Sequence, residues 1–129
     1  MSPIPRKFDL FRDAPTSALF PNGATIFEEG DTGDSMFAIK RGKVAIMVGG
    51  NIVDVLRDGE LFGEMALLEH TTRAATVVAL EETQLVEVDK AHFFSLVRQS
   101  PPFALQLMQL LSERLRNADA LYRRVTRMD

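Results

Sequence analysis

This sequence has no cysteine and only two histidines, His70 and His92. Without thiols it has no disulfide, no thiolate nucleophile and no cysteine zinc site. The two histidines lack metal-ligand spacing, and each reads as an exposed helix or loop residue rather than a ligand. No apolar run approaches the length of a membrane span. The opening stretch, MSPIPRKFDLF, carries two prolines and no apolar signal core, so it does not read as a secretion leader. Excess positive charge is missing too: 15 basic residues stand against 18 acidic ones, a formal charge of -3. Such a balance sets up no field that would gather nucleic acid or anionic membrane. No arrangement of serine, histidine and acid suggests itself, and the candidate strands carry no histidine for a metalloenzyme on a β-roll. The expectation is a cytoplasmic chain that performs no catalysis and uses no metal or cofactor.

What is present is an ordinary globule. The hydrophobic fraction of 46% and charged fraction of 26% are typical of folded domains. At 129 residues the chain is one domain, able to bury roughly two thirds of its unfolded surface. Between Thr25 and Val88 the sequence reads as short strands: TIF, MFAIK, KVAIMV, IVDVL, ATVVAL and QLVEV. All are rich in β-branched and aromatic residues. In KVAIMV, Val44, Ile46 and Val48 fall on one face, the alternation of a half-buried strand. The separators, EEGDTGD, RG, GGN and RDGE, are turn chemistry. Closely spaced strands of this kind predict a mainly β fold, an antiparallel, jelly-roll-like β-roll over 25–88, preceded by a short segment 1–24.

After Asp89 the period changes. DKAHFFSLVRQS opens with an aspartate in N-cap position and continues at helical spacing through Phe93, Phe94 and Val97. Pro101 and Pro102 end that helix or open the next. From Phe103 to about Arg127 a long helix is predicted, so that 89–129 forms two C-terminal helices. Met108, Leu111, Leu115, Ala118, Tyr122 and Val125 step alternately by three and four, the spacing of a packing seam. Two readings fit it: a coiled-coil dimer, or an amphipathic helix lying on its own roll.

The chemistry is concentrated in FGEMALLEHTTRAATV, residues 62–77. Helix formers follow Gly63 at once, so a short helix is expected to start near Glu64, its first N–H groups free to face an anion. Gly63 allows close approach to that backbone. Arg73 supplies a planar, permanently charged fork suited to a phosphate, and Ala74 and Ala75 leave the following N–H groups uncovered. Glu64 narrows the reading. A carboxylate beside a bound anion is repulsive unless it has its own donor, and a ribose hydroxyl is one. An ester whose phosphate and ribose lie a few ångströms apart would engage both residues. The competing reading is a structural ion pair between Glu64 and Arg73.

The same stretch resembles, without a gap, the phosphate-binding cassette of the cyclic nucleotide-binding domain family, to which catabolite activators and the regulatory subunits of cyclic-AMP-dependent kinase belong. EEGDTGDSMFAIKRGKV and DGELFGE resemble the glycine-marked roll that flanks it. The resemblance covers roughly residues 25–120 and implies roles for particular residues. Glu64 would accept from the ribose 2′-OH and Arg73 would pair with the cyclic phosphate. The backbone at Gly63, Met65, Ala66 and Ala74 would complete a pocket that also takes in Phe62 and Ala75. Ala74 stands where a Thr or Ser tends to favour guanine, which leans towards cyclic AMP, with cyclic GMP as the alternative ligand. Ile46, Val53 and Val55 are candidates for the base pocket or for plain core. The long helix resembles the family's lid, with Arg114 and Leu115 near the contact position. Departures are Thr72, where proline is common, Glu69 as an added charge, and an N-terminal segment too short for the usual helical pair. The stretch after the last helix carries no residues that read as a helix-turn-helix, kinase, channel or cyclase segment, so none is expected here. The expected partners are therefore a small cyclic nucleotide and either a second copy through the C-terminal helix or an effector protein, with no direct nucleic-acid or membrane contact. A ligand-free interaction domain of the same fold is the competing reading.

Overall fold

A computed structural model describes residues 7–127 apart from His70, with the backbone alone described at 119–122 and 124–127. Among the described residues, eight strands and three α-helices follow one another as β1 (Ala18–Phe20), β2 (Thr25–Phe27), β3 (Met36–Arg41), β4 (Lys43–Val48), β5 (Asn51–Arg57), β6 (Leu61–Phe62), α1 (Glu64–Glu69), β7 (Thr76–Ala79), β8 (Thr83–Val88), α2 (Lys90–Gln99) and α3 (Pro101–Arg127). Two antiparallel four-stranded sheets result, ordered β1-β8-β3-β6 and β2-β7-β4-β5. This is the expected antiparallel roll with a helical C-terminus.

The first sheet is buried on both faces, which explains the unbroken apolar run MFAI at the start of β3. Phe37, Ile39, Phe62 and Leu85 point between the sheets with Val44, Leu56 and Val77. Their neighbours Met36, Ala38, Leu61, Val86 and Val88 point the other way, into a second cluster with Phe8, Phe11, Leu67, Phe103, Leu107 and Leu110. The period of two along each strand thus feeds two cores at once. Each fully buried Leu, Val or Phe contributes about 1.5–3 kcal/mol.

Two strands had no counterpart among the predicted ones. β1 lies upstream of Thr25, where Ala18–Phe20 pairs with Thr83–Leu85. β6 is only two residues long and pairs with Phe37 and Ala38. Among its described residues the N-terminal segment has one 3-10 turn, Asp9–Phe11, whose Phe11 packs edge-on against Phe103 together with the preceding Phe8.

At the C-terminus, Asp89 caps α2 by accepting from the His92 backbone N–H at 2.8 Å, and the His92 side chain is exposed. Pro101 and Pro102 open α3, where the missing N–H groups cost nothing. The face that α3 lays on the roll carries Phe103, Leu107 and Leu110. The expected seam lies beside it. Leu111 is partly buried, but Met108 is 59% and Leu115 72% exposed, and Ala118 is exposed. The helix does lie on its own roll, as one of the two readings had it, but through a heptad offset by one residue from the expected seam, with Leu111 packing beside it. The side chains of Tyr122 and Val125 lie outside the described residues.

Candidate functional site

Between the β2-β7-β4-β5 sheet, the 62–77 segment and α3 lies a cavity of about 770 Å³. Phe62, Gly63, Glu64, Met65, Ala66, Arg73, Ala74 and Ala75, the residues singled out in the sequence, all line it.

Gly63 makes the turn from β6 into α1 with φ +81, a conformation that favours glycine. Its carbonyl accepts from Arg73 Nη1 at 3.2 Å. Arg73 reaches the cavity from the loop between α1 and β7. Its backbone N–H donates to the Asp31 carbonyl at 2.7 Å, and its carbonyl accepts from the Gly30 N–H at 2.8 Å, so the glycine-marked turn after β2 fixes the root of the side chain. Arg73 is 6% exposed, its guanidinium stacked 4.2 Å over the Phe27 ring and bonded to the Ser35 carbonyl at 2.7 Å through Nη1. Nη2 reaches the Ser35 hydroxyl at 3.5 Å. These contacts use three of the five N–H groups an arginine carries and leave donors for a ligand. Burial lowers the Arg73 pKa below its ordinary value, against the opposing charges of Glu87, Asp34 and Asp31. Arginine keeps its charge regardless.

Glu64, the first residue of α1, is 4% exposed. Its partner is not Arg73. Arg114, on α3, donates from Nη1 to Glu64 Oε1 and from Nη2 to the Leu61 carbonyl at 2.6 Å. The alternative of a Glu64–Arg73 ion pair is thereby set aside. Both charges line one cavity, yet each is held by other groups.

The sequence reading of the helix contact needs one correction. Arg114, Asn117 and Ala118, spaced i, i+3 and i+4, line the cavity, whereas Leu115 lies about 100° further round and faces out. On the sheet, Ile46 and Val53 line the cavity as expected, but Val55 does not. Leu56 takes that place, because Val44 and Ile46 oppose Leu56 and Asp54 in regular register, while the register shift between Ile46 and Met47 leaves Val53 unopposed. Phe27, Asp54, Leu56, Val77 and Asn117 were not anticipated. An irregular register leaves no mark in an alternation pattern. Glu69 and Thr72 are exposed and away from the cavity, so neither alters its charge. His70 lies outside the described residues.

The model of the cyclic nucleotide-binding domain matches residues 18–100. The chain belongs to the cyclic nucleotide-binding domain family. Among relatives, this domain is 38% identical over 120 residues to the cyclic AMP receptor protein of Thermus thermophilus, covering 89% of this chain and 56% of that protein. It is 44% identical over 64 residues to the cAMP-dependent protein kinase regulatory subunit of Debaryomyces hansenii, covering 50% of this chain and 14% of that one. Among solved structures, the Thermus thermophilus catabolite activator protein superposes with a TM-score of 0.77 at 37% identity, over 84% of this chain and 54% of that chain. The domain thus spans about half the length of the Thermus regulator it matches. No helix among the described residues is long and apolar enough to cross a membrane.

Proposed function

We propose that this domain is a sensor that binds a cyclic purine nucleotide, cyclic AMP in preference to cyclic GMP, and answers through α3. The observation that carries the reading is the division of labour in the cavity. Arg73 is buried and charged with donors left over, while Glu64 faces the same space and is tied to α3 through Arg114. The Arg73 N–H groups not used by Ser35 and Gly63 are the donors that an anion in the cavity would take.

In this reading the cyclic phosphate takes the free N–H groups of Arg73 and the backbone around Ala74 and Ala75. The ribose 2′-OH donates to the second oxygen of Glu64, whose first oxygen already accepts from Arg114. Ligand, Glu64, Arg114 and α3 then form one hydrogen-bonded chain, and the ligand favours whichever placement of α3 keeps that chain intact. Ala74 supports adenine, and relatives whose names denote cyclic AMP reception or cyclic-AMP-dependent kinase regulation support it too. The partner that reads α3 is a second copy of this chain or an effector protein. Met108 and Leu115, exposed beside the face that packs on the roll, favour the second copy. The domain performs no chemistry on its ligand and acts in the cytoplasm.

Calorimetric titration with cyclic AMP and cyclic GMP, with Arg73→Ala as control, tests this. Saturable binding with cyclic AMP preferred, and lost in the variant, is expected. Absence of heat and of thermal stabilisation at millimolar nucleotide would overturn it.

A further inference from the structure

Asp54 stands where the alternation of β5 calls for an apolar residue. In the β4–β5 ladder Val44 opposes Leu56 and Ile46 opposes Asp54, and opposed residues share a face. Val44 and Leu56 are core residues, and Ile46 packs against the same core, so Asp54 sits on their face of the strand, exposed where that face lines the cavity. The next pairing is Met47 with Ile52, which leaves Val53 unopposed: a bulge that re-aims the strand at the mouth of the cavity. Asp54 is exposed to solvent and lines the cavity, its Oδ1 accepting from the Val55 backbone N–H at 2.8 Å, which leaves Oδ2 for another donor. The rest of that wall is apolar, namely Ile46, Val53, Leu56 and Val77, as suits the flat face of a purine.

We infer that Asp54 determines base specificity by accepting a hydrogen bond from the exocyclic amine at position 6 of adenine. This rests on the cyclic-nucleotide reading of the same site. Arg73 and Glu64 hold the phosphate and ribose at one end of the cavity, so the far edge of the base is what remains for β5 to meet. At position 6 adenine carries an amine donor and guanine a carbonyl acceptor. A carboxylate attracts the first and repels the second. Guanine would instead need two carboxylate oxygens side by side to satisfy its N1–H and N2 donors together, and Asp54 has one of its two engaged with Val55. Asp54 therefore supplies discrimination while the phosphate and ribose supply most of the affinity.

The test is calorimetry on the full chain and on Asp54→Ala and Asp54→Asn, each with cyclic AMP, cyclic GMP and purine riboside 3′,5′-cyclic monophosphate, which has no group at position 6. For Asp54→Ala we expect cyclic AMP affinity to fall by about tenfold, the purine riboside analogue to be unchanged, and cyclic GMP to bind more tightly. Asp54→Asn, whose amide offers a donor as well as an acceptor, should narrow the preference between the two natural nucleotides from both sides. Unchanged affinity for the analogue also shows that the variants keep the fold and the phosphate site. If all three ligands bind Asp54→Ala with the same ratios as the unaltered chain, or if cyclic GMP is the one weakened, the assignment is overturned while the sensor reading stands. If the unaltered chain binds none of them, both fall.

Discussion

Gly33 lies directly against the guanidinium of Arg73: a Cβ placed on it would sit 2.4 Å from Nε and 2.6 Å from Nη2. Neither atom belongs to a freely swinging tip, because Nη1 of the same group is fixed to the carbonyls of Ser35 and Gly63. The absence of a side chain at residue 33 leaves the space that the Arg73 guanidinium occupies.

Gly33→Ala is therefore expected to push Arg73 out of position. The cost in stability should be modest, about 1–3 kcal/mol as for other overpacked sites. Nucleotide affinity should fall more than the loss of stability suggests, by roughly an order of magnitude for one weakened charge-assisted bond. Calorimetry beside a denaturant melt separates the two, and unchanged affinity would mean that the guanidinium relaxes around a methyl group without penalty.

Arg73 is also structural, and its removal should show as unfolding even without ligand. Arg73→Ala leaves the Ser35 and Gly63 carbonyls without the donor they now share and strips the cation from the Phe27 ring. A loss of about 2–3 kcal/mol follows from one charged hydrogen-bond network and its stacking. Arg73→Lys should recover part of that stability but not the binding, because an ammonium cannot hold two carbonyls and a phosphate in one plane. Equal stability of all three proteins in urea would contradict this account.

Arg114 and Glu64 should behave as a coupled pair. The Glu64 side chain is 5% exposed against 28% for Arg114, so Arg114→Ala strands a carboxylate that is almost out of water. About 1–3 kcal/mol of destabilisation is expected, and Glu64→Gln should relieve much of it in the double variant. Hydrogen exchange along residues 110–118 should quicken in Arg114→Ala and stay slow near α2. Additive single effects in the cycle would show that the two groups are neighbours without being partners.

The exposed seam of α3 predicts self-association. Analytical ultracentrifugation should find a dimer at micromolar concentration, and Leu115→Glu should return it to a monomer while leaving the melt of the roll unchanged, since Leu115 is 72% exposed. A monomeric unaltered chain would assign that stripe to an effector protein.

The strands that alternate or run apolar were visible in the sequence because burial writes itself into composition. MFAIK and KVAIMV could hardly have been anything else. The site cassette was visible too, since a short helix after a positive-φ glycine needs particular residues in consecutive order. Hidden were elements defined by pairing rather than by content. β6 is two residues that become a strand only because Phe37 and Ala38 lie beside them. The place of Val53 in the cavity wall depends on a bulge, and the correct face of α3 depends on which of two offset heptads meets the roll. Gly33 reads as turn chemistry from the sequence alone, because the atom that needs its space comes from forty residues later.

β6 has a further consequence. Leu61 and Phe62 are adjacent, yet Leu61 packs into the cluster beneath α3 and Phe62 into the aromatic group that lines the cavity. The Leu61 carbonyl is itself held by Arg114. One planar amide, which does not stretch or bend cheaply, thus joins the two clusters at this point, as adjacent residues of β3 and β8 join them elsewhere. In the proposed sensor, a tilt of Phe62 on the ligand side would reach the Arg114 side as a rotation of that rigid plate.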